Sequence, residues 1–387
     1  MAHRREFLKV SAAVLAAPMF NRGRFSLSAD HQQQYSVRCI DLLKRALVID
    51  MLAPLHLSGP VRAGWLANPA SLSAADAAQF RGSGINVFHM AVGWGGPDAY
   101  VEALQYFMAH NALIADRDDL FIRIDTAADL ARVKASGKIG ILLGAQNSDH
   151  FVKPNLDPRD ILKTVEEFYH YGQRVSQLTY NTMTWFGSGS TERVDGGLSD
   201  MGVELVARMN KVGMAVDTSH SGDRTTLDAF EVSNQPVLVT HSNVRALAGG
   251  HPRCKPDAVI RAVGRAGSVF GVTGVRMFVK ATEPTTIEDY LDHIDYVAKM
   301  IGVEHVGIGS DVSLEGYDDL PAAEQRALRA GYKTSYAFRE KTDIDEIAHP
   351  KRMFDVTEGL IRRKYSDDQI LMILGGNFQR VLSQIWI

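Results

Sequence analysis

Residues 213–220 read Gly-Met-Ala-Val-Asp-Thr-Ser-His, and residues 236–241 read Pro-Val-Leu-Val-Thr-His. Each is a short apolar run that opens on a turn residue and closes on polar side chains. Between them, Arg224 to Ser233 carries a helical pattern, so the stretch reads as strand, helix, strand, the unit of a parallel sheet. The same alternation recurs in both directions along the chain. Six more apolar runs are read as strands: Ala46 to Leu52, Gly84 to Val92, Lys138 to Gln146, Arg174 to Asn181, Ser268 to Gly274 and His305 to Asp311. Further helices are expected over Ala74–Arg81, Asp98–Ile114, Asp157–Tyr171, Ser199–Lys211, Pro256–Ala266 and Thr286–Ile301, with Asp157-Pro158 and Ser199-Asp200 as N-terminal caps. Eight near-continuous apolar strands alternating with helices predict a closed parallel (β/α)8 TIM barrel with extra C-terminal helices, since such strands are covered on both faces. The competing open doubly wound sheet lacks a Gly-rich phosphate loop after its first strand.

The composition restricts the chemistry. The 387 residues hold 42 Lys+Arg against 45 Asp+Glu, a formal net charge of −3, which gives no electrostatic reason to expect nucleic acid. Two cysteines, Cys39 and Cys254, make neither a disulfide framework nor a thiolate zinc cluster, so a metal would rest on His, Asp and Glu. The N-terminus carries Arg4-Arg5-Glu6-Phe7-Leu8-Lys9 followed by a small apolar run to Ala17, the layout of a twin-arginine export signal. Residues 1–29 are therefore set aside as signal and 30–387 read as one barrel domain, expected in the periplasm. No other stretch looks transmembrane.

A barrel places its chemistry at the C-terminal ends of its strands. The fifth predicted strand ends Asp217-Thr218-Ser219-His220, the sixth Thr240-His241-Ser242 and the eighth Gly309-Ser310-Asp311, while the third ends at Gln146 and the fourth at Tyr180-Asn181. A lone histidine in such a place is ordinarily a satisfied structural residue. Imidazoles and a carboxylate repeated on three strands of one barrel are the pattern that gathers ligands around a metal-bound water. His110, His170, His293 and His349 fall on helices or loops and are read as packing or surface residues.

Several blocks together resemble the membrane (renal) dipeptidases, zinc-dependent barrel peptidases of the metallo-dependent hydrolase type. They are Leu178-Thr179-Tyr180-Asn181, Gly196-Gly197-Leu198-Ser199-Asp200-Met201-Gly202, Val216-Asp217-Thr218-Ser219-His220, Thr240-His241-Ser242-Asn243 with His251-Pro252-Arg253, Gly307-Ile308-Gly309-Ser310-Asp311 and Leu374-Gly375-Gly376-Asn377-Phe378. The resemblance implies that His220 and His241 match the ligands of the family's second metal, Arg253 its partner for the substrate carboxylate, and Asp311 its catalytic aspartate. The same comparison exposes departures. The His-x-Asp pair that holds the first metal is replaced by Leu52 and Pro54, the bridging glutamate by Gln146, and a substrate-contacting histidine by Tyr180.

The implied set is thus Asp311 as catalytic residue, Arg253 and Tyr180 for substrate, and His220, His241 and Gln146 for one Zn2+ ion where typical members hold two. Asp50, His56, Asp149 and His150, near the ends of the first and third predicted strands, are an alternative group for rebuilding a site, and loop polarity is the plainer reading of them. The resemblance implies a metal-dependent hydrolase of dipeptides or related small amides, acting on a small peptide-like substrate as a homodimer. A tailoring enzyme for a peptide-like metabolite and a metal-free binding protein are the alternatives. The segments Gly93–Pro97 and Trp185–Thr191 read either as mouth loops with aromatic wall residues or as plain connectors, and the insert Leu314–Lys351, with Tyr332, Tyr336 and Phe338, as a lid or a subunit contact.

Overall fold

A computed structural model describes residues 35–154 and 160–386; the expected signal over 1–29 and the expected cap at Asp157-Pro158 lie outside them. Arg38–Ile387 forms one compact unit. Among the described residues there are nine strands: β1 Ile49–Asp50, β2 Val87–Val92, β3 Phe121–Arg123, β4 Ile139–Ala145, β5 Gln173–Gln177, β6 Ala215–Asp217, β7 Val239–Ser242, β8 Phe270–Val272 and β9 Val306–Ile308. One sheet runs β1-β2-β4-β5-β6 and another β7-β8-β9, every pair parallel. Two seams close them into a ring. Leu238 N donates to Val216 O at 2.8 Å beside β6, and Met51 N donates to Ile308 O at 2.9 Å between β1 and β9. All eight predicted strands are in that ring. The ninth, β3, pairs with the first three residues of β4 while β5 takes its last three, so it lies at the beginning of the barrel, away from the mouth.

The helices follow from local chemistry. Ser199 accepts from Gly202 N at the start of Asp200–Val212, as its sequence position predicts, and Gly213 ends that helix in the left-handed region at φ 79. Thr126 and Asp129 form a capping box on Ala127–Ser136.

The barrel interior is layered. Ile49, Val87, Leu142, Val175, Ala215, Leu238 and Val269, from the early parts of the strands, pack in one cluster with Phe378, Val381, Leu382 and Ile385 of the helix Asn377–Ile385. Two glycines admit the Phe378 ring: a Cβ at Gly307 would stand 2.2 Å from it, and one at Gly271 3.2 Å. The C-terminal helix therefore plugs the end opposite the chemistry. Toward the mouth the interior turns polar, with Gln177, Asp217, Ser219 and Thr240 all buried.

A buried ion pair secures the β1–β9 seam. Asp50 accepts from Ser310 N at 2.8 Å and Ser310 Oγ at 2.6 Å, and from Arg352 Nη2 at 3.0 Å. Arg352 also donates to Ser313 O at 2.7 Å, and both charged side chains are sealed from solvent. Asp50 is thus neither loop polarity nor a spare ligand but a structural strut.

Candidate active site

The site grows from the turn after β6 and from β7. Asp217 ends β6 buried, and its carboxylate knots the two strands together. Oδ1 accepts from Ser219 N at 3.0 Å, Ser219 Oγ at 2.6 Å and Thr240 N at 3.1 Å, and Oδ2 accepts from Thr240 Oγ1 at 2.5 Å. His241 N donates to Ser219 Oγ at 3.0 Å. That knot brings His220 and His241 together, with their Nε2 atoms 3.1 Å apart. Behind them, His241 Nδ1 is 2.8 Å from Thr240 Oγ1, and His220 Nδ1 is 2.7 Å from Asn181 Oδ1. Burial, and next the charge of Arg253, hold both imidazoles well below the ordinary histidine range, so both are neutral at pH 7.

Arg253 is completely buried. It donates to Ser219 O, to His241 O at 2.8 Å and to His220 Nδ1 at 3.1 Å. Lys255 is buried beside it, donating to Ser221 O at 2.6 Å and Thr226 Oγ1 at 3.1 Å, and burial pushes its ammonium down to about 7. Among the described residues neither cation has a carboxylate partner within salt-bridge distance. Backbone dipoles hold the Arg253 guanidinium inside the wall, so it is not displayed as an open fork in the mouth.

Tyr180 stacks on His220 with ring centroids 4.2 Å apart and an interplanar angle of 22°. Its hydroxyl lies 2.6 Å from that of Tyr332, in the insert after β9. Tyr332 packs on Tyr336 and Phe338, and Tyr336 O meets His251 Nε2 at 3.0 Å. The insert therefore lies over the histidine pair. Gly93 leaves room for the Tyr180 ring, 3.2 Å from where a Cβ would stand. Of the expected aromatic walls, Trp94 and Phe186 are buried and Trp185 is exposed.

Asp311 follows β9 in the left-handed region, φ 61, with its N donating to Leu52 O at 2.8 Å. Its carboxylate accepts no hydrogen bond from the described residues. Burial pushes it up to about 7, with Arg253 opposing and Asp50 adding to the rise. Burial raises the hydroxyls of Tyr180, Tyr317, Tyr332 and Tyr336, and Asp311 is close enough to add to the rise of all four.

The donor set does not fit the metal centre that the sequence resemblance implies. Leu52, buried, and Pro54 offer no ligand atom, and Gln146 spends its amide N–H on Ala91 O at 3.1 Å. Among the described residues no three His, Cys, Asp or Glu side chains converge on a point that could hold an ion. Two imidazoles and the neutral Gln146 carbonyl oxygen remain, without a third His, Cys, Asp or Glu side chain to complete a catalytic zinc site. The other candidates do not assemble. His56 accepts from Ser58 N at 3.0 Å, His150 pairs with Gln173 at 3.0 Å between Trp94 and Phe168, and Asp149 accepts from Asn147 Nδ2 at 3.2 Å.

One interior residue escaped the sequence reading. His89 on β2 is buried, its Nδ1 donating to Met51 O at 2.7 Å, so Nε2 carries the lone pair and has no partner among the described residues. The ring crosses β4 over Gly144, where a Cβ would be 2.2 Å from Nε2. Toward β5, Gln177 accepts from His220 N at 3.2 Å while its own Nε2 is unpartnered among the described residues. The signal was parity: His89 is two residues after the interior Val87 and shares its face.

Comparison with known proteins agrees with this architecture. The family model described as membrane dipeptidase (peptidase family M19) matches residues 59–325. A protein named dipeptidase verJ from Clonostachys rogersoniana is 31% identical over 234 residues, 58% of this chain and 58% of the relative. An uncharacterized dipeptidase of Schizosaccharomyces pombe is 34% identical over 205 residues, 51% of this chain and 46% of the relative. The chain thus spans about half the length of the curated relatives it matches. A crystal structure of an amidohydrolase from Pseudomonas aeruginosa superposes with a TM-score of 0.76 at 29% identity, covering 90% of this chain and 99% of that one. With the closed parallel barrel and the strand-end residues in place, the chain belongs to the membrane dipeptidase family, peptidase family M19.

Proposed function

We propose that this chain acts on the amide bond of a dipeptide or related small peptide-like compound at the barrel mouth, with Asp311 as the acid–base group. One observation carries the reading. Asp311 is a carboxyl pushed up to about 7, accepts no hydrogen bond from the described residues, and follows a barrel strand close enough to Arg253 to feel its charge and to Tyr180, which stacks on His220, to act on its hydroxyl. A group that titrates near the working pH can take a proton from an attacking water and return it to the leaving amine. The buried charge of Arg253, close enough to act on Asp311, favours negative charge developing on the amide oxygen. Because the donor set falls short, no step is routed through a metal. The test is amine release from a dipeptide panel by wild type and Asp311→Asn, with metal content measured on the same sample. Hydrolysis lost in the variant supports the reading. A zinc content of about one per chain, lost together with activity in His220→Ala, would replace it with a single ion held by His220, His241 and Gln146.

A tailoring step on a peptide-like metabolite is the second reading, favoured by Leu52 and Pro54, which remove the ligands that activate water in a two-metal peptidase. Turnover of a peptide-like compound without amine release would select it, and binding without turnover would select a binding protein. Arg4-Arg5 and the apolar run after them support export to the periplasm by the twin-arginine route, tested by fractionation of wild type and an Arg4→Lys/Arg5→Lys variant. No helix of the described residues is long and apolar enough to cross a membrane. Homodimerisation, proposed from the family resemblance alone, is checked by light scattering.

A further inference from the structure

We infer that His220 and His241 form a metal-free imidazole dyad whose hydrogen bonds run one way, from the Arg253 guanidinium to the Asp217 carboxylate, and that this direction keeps a divalent cation out of the pair. The inference stands on the hydrogen-bond network and not on the proposed reaction.

The two ends fix everything between them. A guanidinium can only donate and an ionised carboxylate can only accept. Arg253 Nε therefore donates to His220 Nδ1 across 3.1 Å, which makes that nitrogen the lone-pair end and puts the ring proton on Nε2. That proton points to His241 Nε2 at 3.1 Å, so His241 accepts there and carries its own proton on Nδ1. The Nδ1 proton goes to Thr240 Oγ1 at 2.8 Å, and the threonine hydroxyl proton goes on to Asp217 Oδ2 at 2.5 Å. Every donor has an acceptor, and both imidazoles are neutral.

Among the described residues Asn181 looks contrary, with Oδ1 2.7 Å from His220 Nδ1 while its Nδ2 is buried and finds no partner there. A half turn of the amide exchanges two atoms that scatter and pack almost alike. Nδ2 then shares the His220 Nδ1 lone pair with Arg253 Nε, and Ser190 Oγ, 3.2 Å from the rotated amide atom, accepts from Nδ2 where it had donated to Oδ1.

A divalent cation between the rings would need both Nε2 lone pairs, hence a proton on each Nδ1. The His220 Nδ1 proton would then face the Arg253 Nε proton at the same 3.1 Å. The ion would also enter a wall holding the buried Arg253 and Lys255, without the carboxylates that the family resemblance puts at Pro54 and Gln146. Arg253, Thr240 and Asp217 are therefore positioning residues that set the tautomers of the dyad. The pair offers the mouth a neutral donor and acceptor in place of a Lewis acid.

The test reads tautomers, not turnover. In two-bond 1H–15N spectra of the purified protein at pH 7, with signals assigned by their loss in His220→Gln and His241→Gln, His220 is expected as the Nε2–H form and His241 as the Nδ1–H form. A fivefold excess of zinc chloride should leave both patterns unchanged, with less than about a tenth of an ion per chain retained after dialysis. In Asn181→Leu, His220 should keep its Nε2 proton, because Arg253 alone fixes it. Both rings in the Nδ1–H form, or both signals shifted with near-stoichiometric zinc retained, would overturn the inference. So would a switch of His220 to the Nδ1–H form in Asn181→Leu.

Discussion

Replacing Asp311 by asparagine should stabilise the protein in mildly alkaline solution while removing its activity. The carboxylate accepts no hydrogen bond from the described residues, so an amide of the same shape breaks none. Its folded pKa of about 7 stands above the ordinary 3.8, so between those values the native state holds a proton that the unfolded chain has released. Stability therefore falls as pH rises through that window, and the penalty is complete above it. At 1.36 kcal/mol per unit, the shift of roughly three units is worth about 4 kcal/mol at pH 8 and nothing below pH 4. For a chain of this length that corresponds to about 5 °C in Tm. Thermal melts of wild type and Asp311→Asn at pH 4.5, 6 and 8 should diverge progressively, with the variant higher at pH 8. Amine release from a dipeptide should drop by about 10²- to 10⁴-fold. A difference in Tm that is the same at all three pH values, or a variant less stable at pH 8, would refute the desolvated-carboxyl account of this residue.

Arg352→Met leaves the Asp50 charge buried and unpaired, so it should cost about 3–5 kcal/mol in chemical denaturation, more than the double variant Asp50→Leu/Arg352→Met. Phe378→Ala empties the plug at the far end of the barrel and should cost about 3–5 kcal/mol without changing the pH profile of activity. Tyr332→Phe removes the hydroxyl contact to Tyr180; about 1 kcal/mol is expected, read as roughly fivefold faster hydrogen exchange over the insert.

The barrel was legible because a strand buried on both faces must be apolar throughout, a property of eight local segments that needs no knowledge of their neighbours. Every expected ring strand is present, while β3 was missed because three residues, Phe121–Arg123, carry no period long enough to read. The site was half legible. His220, His241 and Asp311 announce themselves by ending apolar runs, and the loss of ligands at Leu52 and Pro54 follows from residue identity alone, since neither side chain has an atom a metal can use. His89 was passed over because a histidine inside an apolar run looks like ordinary packing until the face it shares with Val87 is counted.

By itself, then, the sequence determined the fold class, the family and the absence of the first-strand ligands, because each depends on local pattern or on the chemistry of single side chains. The tertiary structure decided what the remaining polar groups do. Asp50 meets an arginine 302 positions away, and Tyr180 a tyrosine 152 positions away. Arg253 lies sealed in the wall with its charge turned on backbone carbonyls and a histidine. Such partnerships carry no periodic trace in the chain, and a hydrogen bond has a direction only once both of its ends are in place.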